Sequence, residues 1–240
     1  MTFRSYPDFG VAPSDSIASD IDIAELAARL GTNLKWRRDG RVLVSSNFSP
    51  GRDGWIFALG TAEMEILASN YVYSGESCVH AWSTANPAQR FLTKTLPLSP
   101  STKLGLEVMI CEHPTFDHIF NLTIMRQATV AVVDTGSIRM NMAGGTIEYL
   151  DNAGAWIQFY TLGGPPFANG YWHNFKLVCD FENNIYVRAY ADDILIPMGF
   201  LLYDALGFVD NMFFEIGATT VGQGMINCYL DNAIITSTEF

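Results

Sequence analysis

The chain has 240 residues, of which 49% are hydrophobic and 13% aromatic, enough to fill a sizeable core and to exclude an intrinsically disordered protein. Only 16% are charged, against roughly 25% in an average globular protein. The formal net charge is −11, and an acidic body repels phosphate backbones, which excludes nucleic acid as the main partner.

The first 60 residues are balanced, with seven basic and seven acidic side chains, so the whole imbalance belongs to 61–240. Residues 1–18 carry Pro7, Asp8, Pro13 and Asp15 and lack the apolar run of a signal peptide. No stretch approaches the roughly 20 apolar residues of a membrane span. The expectation is a protein soluble after cytoplasmic synthesis, with no membrane partner. A short helix is predicted over 20–30, where Ile23, Leu26, Ala27 and Leu30 recur at helical spacing and Gly31 follows as a stop. Three turns are marginal alone, so the apolar face of Ile23, Leu26 and Leu30 needs a surface to dock on. Next comes a basic knot of Lys35, Arg37, Arg38 and Arg41, suited to an acidic neighbour. Residues 1–40 read as an arm, and 41–240 as one domain.

From Arg41 onward the pattern changes to short β runs punctuated by turn residues. Strands are predicted near 41–46, 63–69, 76–83, 89–96, 103–111, 118–126, 129–134, 137–141, 146–150, 155–161, 171–180, 184–191, 193–197, 207–217 and 225–237. Phe175-Lys176-Leu177-Val178-Cys179 and Ile185-Tyr186-Val187-Arg188-Ala189-Tyr190 alternate between an apolar and a mixed face. Asp180 to Asn184 suits the hairpin turn between them, and Asp192-Asp193 suits the next. This many short strands with close-set turns predict an all-β, two-sheet antiparallel sandwich of the jelly-roll kind with a short N-terminal arm. Cys78, Cys111, Cys179 and Cys228 each lie in a strand-like run without a CxxC pair, and read as small buried hydrophobes.

Three stretches resemble the concanavalin A-like lectin and glucanase superfamily, laminin-G-like modules included. Asn47-Phe48-Ser49-Pro50-Gly51-Arg52-Asp53-Gly54-Trp55 is similar to its opening strand and turn. Tyr171 to Asp180, followed by Ile185 to Asp193, resembles a strand opened by Trp, closed by Asp and returned through a Tyr. Cys228-Tyr229-Leu230-Asp231-Asn232-Ala233-Ile234-Ile235-Thr236 resembles the closing strand. The resemblance implies two sheets of about six or seven strands with the first and last strands adjacent. It also spans lectins, glycan-binding modules, polysaccharide hydrolases and lyases, and structural parts of viruses, so the fold leaves function open.

No catalytic signature is present. A Glu-x-Asp-x-x-Glu run, which projects paired carboxylates from one strand face, does not occur: Glu63-Met64-Glu65 is followed by Ala68. Cys111 and His113 have zinc-binding residue types without a second cluster to complete a site. No cofactor is expected, except that calcium suits loop carboxylates and carbonyls; Asn47, Asp53 and Asp231 would supply them if the first and last strands pair. Glycan binding needs aromatic platforms, and Trp82 and Trp156, set among polar neighbours, are the candidates. The favoured expectation is a non-enzymatic assembly protein, a virion capsid, tail or decoration component. Its arm, through Ile23, Leu26, Leu30, Lys35, Arg37, Arg38 and Arg41, would contact further copies or neighbouring subunits. The alternative is a carbohydrate-binding lectin-like module, and third a glycan-cleaving enzyme.

Overall fold

The computed structural model describes residues 40–49, 51–58, 63–68, 72–73, 76–83, 89–112, 118–129, 132–142, 144–162, 171–207, 211–220 and 226–239. The predicted helix over 20–30 and the arm residues Ile23, Leu26, Leu30, Lys35, Arg37 and Arg38 lie outside them. The described residues form sixteen strands and no helix. In chain order these are β1 (Arg41–Ser46), β2 (Ile56–Ala58), β3 (Glu63–Leu67), β4 (Cys78–Ser83), β5 (Gln89–Leu96), β6 (Lys103–Glu112), β7 (His118–Thr129) and β8 (Val132–Asn141). They continue with β9 (Thr146–Leu150), β10 (Trp156–Thr161), β11 (Trp172–Asp180), β12 (Ile185–Ala191), β13 (Ile194–Pro197), β14 (Tyr203–Leu206), β15 (Met212–Thr220) and β16 (Ile226–Ser237).

These strands build two eight-stranded antiparallel sheets. The first runs β13-β12-β11-β6-β16-β4-β3, with β1 beside β16; the second runs β10-β9-β8-β7-β15-β5-β2, with β14 beside β8. Arg41 pairs with Ser237 and Ser46 with Ala233, so the opening and closing strands are neighbours as the sequence implied. Each sheet holds one or two more strands than expected.

Alternation decides which face each residue takes, because successive strand side chains point to opposite faces. In β6, Leu104, Leu106, Val108 and Ile110 enter the core, while in the second sheet Phe120, Leu122 and Ile124 of β7 and Phe214 and Ile216 of β15 meet them. Each such side chain contributes roughly 1.5–3 kcal/mol through burial. All four cysteines are buried and outside any disulfide. The predicted turns are present: Asp180 Oδ1 accepts the Glu182 and Asn183 amides at 3.0 and 3.2 Å, and Asp192 adopts a φ of 53°.

The sequence reading split 129–141 at Asp134-Thr135-Gly136, yet β8 is continuous there. Gly136 is required for close approach and not for a turn, since a Cβ at this position would lie 2.2 Å from Cys179 Sγ. The strand's outer edge changes partner at the same place. β14 pairs with Val132–Thr135 and β9 with Ile138–Asn141. Tyr186 reaches across from the first sheet to fill the gap: its hydroxyl accepts the Ser137 amide at 2.9 Å and donates to the Leu150 carbonyl at 2.7 Å. Burial, reinforced by Cys179, pushes this phenol well above its ordinary value. The short strands β2 and β14 were not foreseen, because, unlike β13 after Asp192-Asp193, neither follows a predicted hairpin turn.

Candidate functional site: the outer face of the second sheet

Directly paired residues in antiparallel strands share a face. Register aligns Ser137 with Thr123, Thr123 with Glu215, and Glu215 with Thr93. Their chain neighbours Ile138, Leu122, Ile216 and Leu92 are core residues. This row of three hydroxyls and a carboxylate therefore faces away from the core. The Thr123 and Ser137 hydroxyl oxygens lie 2.8 Å apart. Above the row is a cavity of about 360 Å³ whose lining includes Thr123, Thr135, Ser137, Leu150, Tyr203 and Glu215. Cavities of this size with a few placed polar groups are the usual form of a small-ligand site.

Glu215 is the chemically distinctive member. Burial raises its carboxyl from 4.5 to about 7, because a charge removed from water is disfavoured. No hydrogen bond or ion pair to a described residue offsets that burial. A second perturbed acid lies behind the cavity wall, on the opposite face of β8. Asp134 of β8 pairs in register with Asp204 of β14, and its carboxyl rises to about 6 through burial and then the charge and hydrogen bond of Asp204, opposed by Arg126. Val133 and Thr135, on either side of Asp134, and Tyr203 and Ala205, on either side of Asp204, line the cavity.

Beyond Ser137, the same face continues to the sheet edge. Arg139 aligns with Glu148 and is ion-paired to it. Trp156 aligns with Leu150, and the Arg139 Cζ lies 4.4 Å from its ring centroid. Trp156 is half-buried and stands beside Leu150 of the cavity lining.

Trp82 is on the opposite side of the sandwich. It belongs to β4 in the first sheet and stacks on His80 at 5.0 Å, which in turn stacks on Tyr229 at 4.8 Å. His80 is further held by Glu65 at 3.3 Å and Asn227 at 3.1 Å. The two tryptophans singled out in the sequence do not converge on one site.

Nor do Asn47, Asp53 and Asp231 form a chelating set. Asn47 follows β1, whose pairing with β16 brings it near Asp231-Asn232, but its Oδ1 accepts the Ser49 amide. The Asp231 carboxylate is fully buried and closed by backbone amides, from Tyr73 at 3.0 Å and Asn232 at 2.7 Å. Asp53 sits on the exposed turn before β2, where its carbonyl accepts Lys94 Nζ at 2.6 Å. The three residues present thus do not fit a calcium ion held by their carboxylates. Among the described residues no group of three or more His, Cys, Asp or Glu is placed to hold a metal ion. Arg41 is exposed at the start of β1.

Sequence reasoning missed Glu215 and the hydroxyl row. The alternation of Phe213-Phe214-Glu215-Ile216 marks Glu215 only as the outward half of a strand, and nothing local announces that three other strands deliver hydroxyls around it.

Comparison with known proteins bears on the fold. No family model matches the chain, and no curated protein matches its sequence. Among solved structures, a sialidase matches with 10% identity and a TM-score of 0.54, over 82% of this chain but 18% of its own. A Bacillus subtilis protein of unknown function with a galectin-like fold matches at 10% identity and 0.53, over 83% of this chain and 97% of its own. The β-glucanase of Bacillus licheniformis matches at 13% identity and 0.50, over 81% and 97%. The fold is a two-sheet antiparallel jelly roll. Agreement at this identity concerns backbone architecture, and the chain spans about a fifth of the sialidase's length. No described helix is long and apolar enough to cross a membrane.

Proposed function

We propose that the protein is a carbohydrate-binding, lectin-like module that takes a glycan on the outer face of the second sheet. The observation that carries this reading is the cavity of about 360 Å³ lined by Thr123, Thr135, Ser137, Tyr203 and Glu215, with Trp156 at its side. Sugar hydroxyls need a dense set of hydrogen-bond partners, and their C–H faces need an aromatic ring. Binding without cleavage is favoured because Glu215 is the single carboxylate among the described cavity-lining residues. Two-carboxylate glycoside hydrolysis requires a second acid, about 5–10 Å away. The assembly role expected from the arm rests on residues outside those described, Arg41 apart, so the cavity is the firmer ground.

Titration calorimetry against a panel of oligosaccharides, paired with a reducing-end assay, tests the proposal. A ligand should bind without turnover, Trp156→Ala and Thr123→Val should each weaken it about tenfold or less, and Trp82→Ala should leave it unchanged. Loss of binding in Trp82→Ala alone would move the site to the first sheet and sink this reading.

A further inference from the structure

We propose that the cavity of the second sheet selects sugars bearing a free ammonium group, of the glucosamine type, over their neutral and N-acetylated counterparts; this rests on the glycan-binding reading above. The argument begins with an imbalance of charge. Glu215 is half-buried in the cavity lining, and neither hydrogen bond nor ion pair to a described residue compensates it. The described cavity lining contains no basic side chain. Nearby cations are engaged elsewhere: Arg139 with Glu148, Lys94 with the Asp53 carbonyl, and Arg126 with the Ser99 carbonyl while facing Asp134. Asp134 and Asp204 behind the wall add to the negative field.

Other buried acids in the molecule are treated differently. Glu239 has Lys176 and Arg188 at 2.6 and 2.8 Å, and Asp231 has two amides. A partly buried carboxylate left without a partner is held at some cost to the folded state, and the partner that would offset it is a cation. An ammonium satisfies it with a charge-assisted hydrogen bond, roughly twice as strong as one from a neutral hydroxyl. The remaining ammonium protons and the ring hydroxyls find acceptors in Thr123, Thr135 and Ser137. An acetamide keeps one N–H but brings no charge, and a uronate is repelled. The body's net charge of −11 enriches cations near the mouth.

Charge pairing also ties binding to protonation. The unliganded Glu215 carboxyl titrates near 7, so an ammonium ligand that favours its ionised form releases a proton on binding at pH 6 to 7.

The test is titration calorimetry at pH 6.5 with three tetrasaccharides, of glucosamine, N-acetylglucosamine and glucose, in two buffers of different ionisation heat. The expected result is at least about tenfold tighter binding of the glucosamine tetramer than of the other two, with proton release visible in the buffer comparison. In Glu215→Gln, nearly isosteric and free of the charge, the preference for glucosamine over glucose and the proton release both vanish. Equal affinities for all three sugars overturn the inference and leave the glycan-binding reading standing. A preference that survives undiminished in Glu215→Gln also overturns it, assigning the effect to general surface acidity. Binding of none of the three by the unaltered protein overturns it as well, and the wider panel above then decides the glycan-binding reading by itself.

Discussion

On the outer side of the first sheet, Lys176 lies 2.6 Å from Glu239 and 4.0 Å from Glu107, Arg188 lies 2.8 Å from Glu239, and Asn174 donates to Glu107 at 2.9 Å. On the outer side of the second sheet, Glu215 occupies a comparable mid-sheet position with threonine hydroxyls on either side and no cation. Both faces remove charge from water, yet only the first supplies each charge with its opposite. This charge network stitches β6, β11, β12 and the segment after β16 together, and its side-chain oxygens left without a hydrogen bond, Glu107 Oε2 and Asn174 Oδ1, are sealed from solvent, so it has little to offer a ligand. An open one sacrifices stability and keeps a strong hydrogen-bonding group available. The contrast separates a face closed by its own charges from the face proposed to bind within one sandwich.

The largest expected effect comes from opening the closed network. Lys176→Met keeps the length of the side chain but leaves Glu107 and Glu239, both essentially inaccessible, short of one positive charge. Removing one partner of a buried pair typically costs about 3–5 kcal/mol, and urea denaturation should show a loss of that size. A cost below about 1 kcal/mol would mean that these charges are better hydrated than their burial indicates, and the contrast between faces would fail.

A smaller effect should follow from pH. Glu215 and Asp134 hold their protons more tightly in the folded state, at about 7 and about 6, than in the unfolded chain, where carboxyls titrate near 4. The folded protein therefore binds more protons between pH 4 and 7, and its stability is greatest below that window and falls as pH rises through it. Discounted for the solvent that Glu215 still meets, its share is on the order of 1–2 kcal/mol. Glu215→Gln should flatten the upper part of the thermal-stability curve against pH and raise the melting temperature at pH 7.5. An unchanged slope in that variant would show the carboxyl to be ordinarily solvated, removing the basis for treating this face as open.

How much of this was legible in the sequence follows from what each feature depends on. The β11–β12 hairpin was readable because alternation and turn chemistry are local: Asp180 caps its own turn two and three residues on. Adjacency of β1 and β16 came from resemblance in the Asn47–Trp55 and Cys228–Thr236 stretches, not from periodicity. Gly136 was misread because a glycine at a turn and a glycine under a neighbouring sulfur look alike until Cys179 is placed above it. Trp156 and Trp82 stand on different sheets, since polar neighbours in sequence mark a strand as half-exposed without saying which sheet it enters. Lys176 and Glu215 illustrate the deepest limit. Each sits at an outward position that the pattern assigns to solvent, and the burial of Lys176 and half-burial of Glu215 arise from long-range register that no window of sequence contains.

The smallest effect, and the one that sharpens the comparison most finely, concerns the edge of the binding face. Arg139 and Glu148 remain partly exposed, at 28% and 17% of their side-chain surface, so their ion pair is worth about 1 kcal/mol or less to stability. Arg139 does a second job, because its guanidinium covers the Trp156 ring, an attraction of roughly 0.5–1 kcal/mol at such a site. Arg139→Ala should therefore lower stability by no more than about 1–2 kcal/mol, in clear contrast with Lys176→Met. Its effect on glycan affinity should be proportionately greater, a several-fold weakening, since Trp156 loses the contact that orients it beside the cavity. Calorimetry and denaturation on the same preparation would read both quantities. A destabilisation matching that of Lys176→Met would show that the second face, too, is held by its charges, and the distinction drawn between the sheets would then rest on Glu215 alone.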